Sequence, residues 1–187
     1  MIAICIGHSR IIKGRYDGGA YSPFLKINER DFNLQVASIM QVKLAKRDID
    51  SKIYSHYHGS GYGAAMQDIS DQIKDDRATL AVELHFNSAT PTARGHEWLY
   101  WETSKRGKMI AESFEEAFSA AFPQIPSRGI KPIGRASRGG TFLRNTHCPA
   151  IITEPFFGSN DTDCRLITPH LIASTYVTAL SVFLKRP

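Results

Sequence analysis

Four residues of this chain carry side chains that bind metals or move protons, and each stands where a regular element should begin or end. His8 follows an apolar run, Glu29 opens an amphipathic stretch, His85 follows a second apolar run and Glu154 closes a third. Two imidazoles and a carboxylate suit tetrahedral zinc and leave the fourth position for water. A second carboxylate nearby can take a proton from that water, which is the arrangement of a metallohydrolase. Each residue also has a plainer reading. A histidine after a strand is commonly hydrogen-bonded or exposed, a glutamate in a first helical turn complements the helix dipole, and Glu154 precedes Pro155 and fits a turn. His56 and His58 compete as a metal pair, because residues two apart on a strand share a face. They run into a glycine loop with no carboxylate close in sequence, which favours surface histidines. His96 and His147 are further possible site residues, while His170 marks the start of the last helix. Cys148 adjoins His147, but adjacent residues rarely face each other, so a Cys–His dyad is a poor second.

The elements that must position these residues follow from periodicity. Residues 1–6 form an apolar run closed by Gly7, consistent with a buried strand. Residues 9–28 are rich in glycine and read as a long loop, a type that is often functional. Helical spacing predicts a helix over 29–47, with Asn28 as its cap. Strands are expected at 52–57, 79–84, 95–101, 141–144 and 150–153, and helices at 64–76, 104–121 and 170–185. Residues 122–140 hold Pro123, Pro126 and Pro132 among several glycines and read as loop. Strands alternating with helices predict an α/β fold: a mostly parallel sheet flanked by helices on both faces. Ligand sites in such sheets collect at the carboxyl ends of the strands. If the strands before His8, His85 and Glu154 are parallel neighbours, their ends share one crevice.

Composition narrows the class. The chain has 187 residues, with 42% hydrophobic and 22% charged residues, near the averages for globular domains. That argues against disorder, collagen and coiled coil, and no repeat or linker interrupts it, so residues 1–187 read as one domain. No apolar run approaches the roughly 18 residues of a membrane span, and no secretory signal is visible. The net charge of +5 favours anionic partners such as nucleic acid, acidic polysaccharide or cell wall, and anionic lipid. Cys5, Cys148 and Cys164 form no CxxC pair, so free thiols are expected.

Several ordered pieces carry a resemblance. They are Gly7-His8 after the first strand, Glu29-Arg30-Asp31-Phe32-Asn33-Leu34 opening a helix, and His85-Phe86-Asn87-Ser88-Ala89 after a strand. Gly95 with the aromatic strand to Trp101 follows, then Arg128-Gly129-Ile130-Lys131, Phe142-Leu143-Arg144-Asn145 and Pro149-Ala150-Ile151-Ile152-Thr153-Glu154, with Phe157 and Ser159-Asn160 just beyond. In this order, over nearly the whole chain, they resemble the zinc-dependent N-acetylmuramoyl-L-alanine amidases of bacterial and phage cell-wall hydrolases. The resemblance implies a roughly six-stranded, mostly parallel sheet. It implies one Zn2+ per chain held by His8, Glu29 and His85, with Glu154 as the catalytic carboxylate. It implies cleavage of the amide between N-acetylmuramic acid and L-alanine, with peptidoglycan and not nucleic acid as partner.

Asn87, Arg128, Lys131 and Arg144 are the expected substrate-binding residues. Arg128, Lys131, Arg135, Arg138 and Arg144 concentrate positive charge before Glu154, where a basic rim could hold stem-peptide carboxylates. Trp98, Tyr100 and Trp101 could stack on sugars, although strand alternation sends at least one into the core. The sequence departs from the family at three places. Cys5-Ile6 stand where Asp-Pro usually precedes Gly-His. Glu83 stands where a small residue usually lies two before the third ligand, and is either a carboxylate close behind the metal site or a sheet-edge glutamate. Pro155-Phe156 follow the catalytic glutamate and alter the groove wall. The stretch from His85 to Glu154 leaves no room for an added helix that blocks the site. The expected protein is a monomeric phage or prophage endolysin, made in the cytoplasm and acting on the cell wall. The competing readings are a zinc carboxypeptidase or endopeptidase of stem peptides and a non-catalytic wall-binding module.

Overall fold

The computed structural model describes every residue except Ala136, Arg138, Arg186 and Pro187, so Arg138 of the basic segment lies outside the described residues. The chain starts with β1 (Ile2–Ile6). Two short hairpins follow, β2 (Ile11–Ile12) with β3 (Arg15–Tyr16), and β4 (Tyr21–Ser22) with β5 (Ile27–Asn28). Next come α1 (Glu29–Ala45), β6 (Ser51–Tyr54), α2 (Tyr62–Asp75), β7 (Leu80–Leu84), β8 (His96–Trp101), α3 (Lys105–Ala121), β9 (Ser127–Ile133), α4 (Gly140–Asn145), β10 (Ala150–Glu154), α5 (Asp161–Leu166) and α6 (Pro169–Phe183). The main sheet has six strands in the order β6-β1-β7-β10-β8-β9. The first four are mutually parallel, β8 runs antiparallel to β10, and β9 runs parallel to β8.

Burial explains this arrangement. Every residue of β1 and β7 is buried, as expected of strands covered on both faces. Ile2, Ile4, Ile6, Leu80, Val82 and Leu84 enter one core, which they share with apolar residues of α1, α3 and α6. Ala3, Cys5, Ala81 and Ile152 enter the other, with apolar residues of α2 and α4. Helices therefore cover both faces of a mostly parallel α/β sheet. No helix among the described residues is long and apolar enough to cross a membrane.

Five local expectations change. Residues 141–144 form part of α4, not a strand: consecutive Phe142 and Leu143 are both buried, which a one-sided strand would not allow, and Gly139 at φ +79° turns the chain into the helix. Residues 122–140 contain β9, which pairs with β8 alone and tolerates Pro132 because an edge strand lacks one ladder of partners. Its register shifts opposite His96 and Trp98, where Gly129 at φ +79° supplies the bulge. The 9–28 loop carries the two short hairpins, and α5 falls in a segment with no expected element. Asn28 stands at the α1 N-cap but makes no side-chain cap bond.

A buried carboxylate ties the segment after β10 to the start of β8. Asp163 accepts from Arg94 Nε at 3.1 Å, Gly95 N–H at 2.8 Å and Phe157 N–H at 3.4 Å. Its own N–H donates to Asn160 Oδ1 at 2.9 Å, which caps α5. Asp163→Ala strands two backbone donors and a guanidinium. The expected cost is roughly 3 kcal/mol, since each unsatisfied buried group costs about 1–3 kcal/mol. Thermal melting followed by circular dichroism should then fall by roughly 6–12 °C; a fall below about 2 °C would show that these bonds do not hold the segment.

Candidate active site

The topology sets the site before any side chain is considered. β1, β7 and β10 are adjacent and parallel, so Gly7-His8, His85 and Glu154 emerge together at their carboxyl ends. Strand register places Cys5 beside Glu83, Glu83 beside Ile152, and Glu154 beside Glu97. A cavity of about 650 Å3 opens there. Its polar wall includes His8, Asp17, Glu29, Glu83, His85, Glu97 and Glu154, and its apolar wall includes Tyr57, Met66, Leu99 and Ile152.

Glu29, the first residue of α1, is buried and bonded on several sides. Oε1 meets His85 Nδ1 at 2.8 Å and accepts the Phe86 N–H at 3.2 Å. Oε2 accepts the Ala20 N–H at 3.1 Å and lies 3.4 Å from His8 Nε2. Burial alone would raise the Glu29 carboxyl, but the His85 hydrogen bond and the charges of His85 and His8 hold it below its usual value. For His85, burial acts downward, and the charge of Glu83 with the hydrogen bond to Glu29 outweighs it, holding the imidazole well above its usual value. His8 adopts φ +58°, a strained conformation for a non-glycine residue of the kind that concentrates at functional sites.

One ligand atom from each of His8, Glu29 and His85 lies within 4.8 Å of the others, the one such group of three among the described residues. Neighbouring glycines give these side chains room. A Cβ on Gly7 would overlap the His85 ring, and one on Gly19 would come within 2.7 Å of Glu29 Oε2 and of the His8 ring. Two imidazoles and one carboxylate, converging in a cradle that small residues keep open, fit a zinc ion.

Glu154 behaves differently from Glu29. Its Oε2 is buried, lines the same cavity and has no hydrogen-bond partner among the described residues. Burial pushes its carboxyl up to about 8. Beside it Glu97 accepts from Asn87 Nδ2 at 2.9 Å and from Arg128 Nε at 2.9 Å, and the Arg128 guanidinium lies 5.1 Å from the Phe157 ring centre. Asn87 and Arg128 are thus gathered by one carboxylate at the cavity. Lys131 pairs in register with Leu99, further along β9. Arg144 lines a separate shallow groove with Lys105, Arg106, His147 and Cys148, beside Ala150 at the opposite end of β10.

The remaining candidates fall elsewhere. His56 is exposed against Ser55 and Tyr16, and His58 is exposed with its backbone N–H on Asp68. His96 is buried in the core between Trp98 and Phe118. Cys148 sits in the second groove with its thiol pushed up to about 11 by burial, which removes the thiolate that a Cys–His dyad needs. Trp98 and Tyr100 are buried, and neither they nor Trp101 lines the main cavity. Sequence reasoning passed over Asp17, whose Oδ2 lies 3.6 Å from His8 Nδ1, and Glu97. Asp17 stands in a loop without periodicity. Glu97 was legible from alternation with Leu99, since both face the same side of β8.

The family model described as N-acetylmuramoyl-L-alanine amidase matches residues 2–183. An endolysin of Bacillus phage SPP1 is 30% identical over 91 residues, which is 49% of this chain and 33% of that relative, so the match spans about a third of the curated relative. Among solved structures, an N-acetylmuramoyl-L-alanine amidase from Clostridium difficile 630 superposes with a TM-score of 0.79 at 22% identity, covering 98% of this chain and 96% of that one. The catalytic domain of the CD27L endolysin, which targets Clostridia difficile, gives a TM-score of 0.79 at 21% identity over 97% and 96% of the two chains. The match of the family model over residues 2–183, nearly the whole chain, places it in the N-acetylmuramoyl-L-alanine amidase family.

Proposed function

We propose that this chain is a zinc-dependent N-acetylmuramoyl-L-alanine amidase of the endolysin type, with residues 1–187 acting as one catalytic domain on peptidoglycan. The observation that carries the reading is Glu154. Its buried carboxylate oxygen lacks a partner and lines the same cavity as His8, Glu29 and His85. An unpaired buried carboxylate weakens the fold, and a non-catalytic wall-binding module has no use for it. His8, Glu29 and His85 are the proposed ligands. Zinc bound there would polarise the scissile carbonyl and acidify the attacking water. Glu154 would accept the proton of that water at Oε2 and return it to the leaving nitrogen of L-alanine. Glu29 cannot share that task, because it is a proposed ligand and each of its oxygens already accepts a backbone N–H, from Ala20 and Phe86. Asn87 and Arg128, both held by Glu97, would contact the stem peptide beside the cut.

Protein purified without chelator should contain about one zinc per chain, read by elemental analysis, and His85→Ala should lose most of it. Full zinc retention by that variant would move the site away from this cluster. Digestion of purified peptidoglycan should free the amino group of L-alanine and leave glycan strands intact. Mass spectrometry showing cuts within the stem would establish the carboxypeptidase or endopeptidase reading instead. Glu154→Gln keeps the shape and removes the base. It should leave zinc content and melting temperature near wild type and lower turnover by a factor of about 100 to 10,000. Near wild-type turnover would rule out Glu154 as the proton carrier, and loss of zinc would make it a ligand.

A further inference from the structure

Both imidazoles of the cluster lie between two carboxylates. His85 has Nδ1 2.8 Å from Glu29 and Nε2 3.4 Å from Glu83. His8 has Nε2 3.4 Å from Glu29 and Nδ1 3.6 Å from Asp17. The inner carboxylate is shared, and the outer ones come from different places. Glu83 belongs to β7 and its side chain is 4% exposed, whereas Asp17 stands in the loop before β4 and its side chain is 39% exposed.

Glu83 has no evident role in stability. Its strand neighbours in register are Cys5 and Ile152, and neither can compensate a charge. Among the described residues its ion pair is with His85. A carboxylate buried with so little compensation opposes folding, so packing does not explain it. Its position does have a use at the imidazole. A carboxylate facing the outer ring nitrogen keeps the proton there, fixes the ring's orientation and leaves the inner nitrogen free to ligate.

We propose that Glu83 and Asp17 are positioning residues that hold the His85 and His8 rings from outside, and that metal affinity depends mainly on Glu83. The inequality follows from exposure. Water and salt screen Asp17 at 3.6 Å on a loop, while Glu83, almost fully buried, acts from a strand on a residue two positions along the same chain. The inference rests on the metal reading above and adds residues that make no contact with substrate.

The test uses the full chain stripped of metal. Three quantities are compared in wild type, Glu83→Gln, Glu83→Ser and Asp17→Asn: zinc dissociation constant by competition with a chromophoric chelator, melting temperature of the metal-free protein, and visible absorption after cobalt substitution. Both Glu83 variants should bind zinc roughly 10- to 100-fold more weakly, the usual effect of losing a partner behind a ligand. Their cobalt spectra should shift, and their metal-free melting temperatures should equal or exceed wild type. Asp17→Asn should weaken zinc less than either. Wild-type affinity and an unchanged cobalt spectrum in Glu83→Gln would overturn the inference, as would a larger loss in Asp17→Asn. Weak binding that tracks a lower metal-free melting temperature would also overturn it, because Glu83 would then be structural. If wild type itself takes up no zinc, the metal reading falls and this inference with it. If wild type binds zinc and the Glu83 variants match it, only this inference falls.

Discussion

A carboxylate removed from water must be met by donors, and around Glu29 that requirement organises the cluster. The residue is the first of α1, so satisfying it fixes where the helix begins. Its two backbone donors come from Ala20, in the glycine-rich loop, and Phe86, just past β7. Its two imidazole neighbours come from the ends of β1 and β7. One side chain therefore joins a helix, a loop and two strands. Charge-assisted bonds of this kind are about twice as strong as neutral ones, and they resist partial disruption because each lost donor leaves a buried charge less compensated. Asn28 has no capping bond at the same helix start, so here the acidic residue anchors the terminus.

The sheet supplies the second constraint. A strand's side chains alternate between faces, so the residues that can meet at one strand edge are fixed by register. Cys5, Glu83 and Ile152 are in register across β1, β7 and β10, with Leu99 opposite Ile152 on β8. One step towards the open edge, Glu154 meets Glu97. The antiparallel direction of β8 matters at this point, because it brings the start of that strand, not its end, to the carboxyl end of β10. Glu97 reaches the cavity from the opposite chain direction and gathers Asn87 and Arg128 there.

Legibility in the sequence followed from burial. Strands β1, β7 and β10 are buried on both faces, so each reads as a largely apolar run, broken in β7 only by Glu83, and its end is easy to place. That is why His8, His85 and Glu154 stood out. β9 pairs on one side, contains Pro132 and a glycine bulge, and offers no periodic signal. α4 is six residues long, too short for its spacing to compete with the β-prone Thr141 and Phe142. Asp17 and the hairpins near it are placed by contacts with distant residues, as in the backbone bond from Gly18 to His8, which leave no pattern along the chain. Arg144 was grouped with the basic segment by proximity in sequence, yet α4 and β10 carry it to the far end of the sheet.

The contrast between two glutamates gives the strongest physical argument from structure to chemistry. Glu29 and Glu154 are both carboxylates at element ends beside one cavity, and their surroundings push them apart. Glu29 is surrounded by donors, which stabilise its charge and hold its proton affinity down. Glu154 has an oxygen that is buried and unpartnered, and burial raises its proton affinity. A group fixed as an anion can neutralise a cation but cannot cycle a proton near neutral pH. A group whose proton is held near neutrality can take one up and give it back. Carboxylates separated in this way assign themselves to different tasks. The charge of His85 opposes this rise, while those of Glu29, Glu97 and Glu83 act with burial to raise Glu154. Moving Glu154 into a donor-rich setting would stabilise the fold and remove its capacity to accept a proton. The unsatisfied oxygen is therefore a stability cost that the proposed hydrolysis requires.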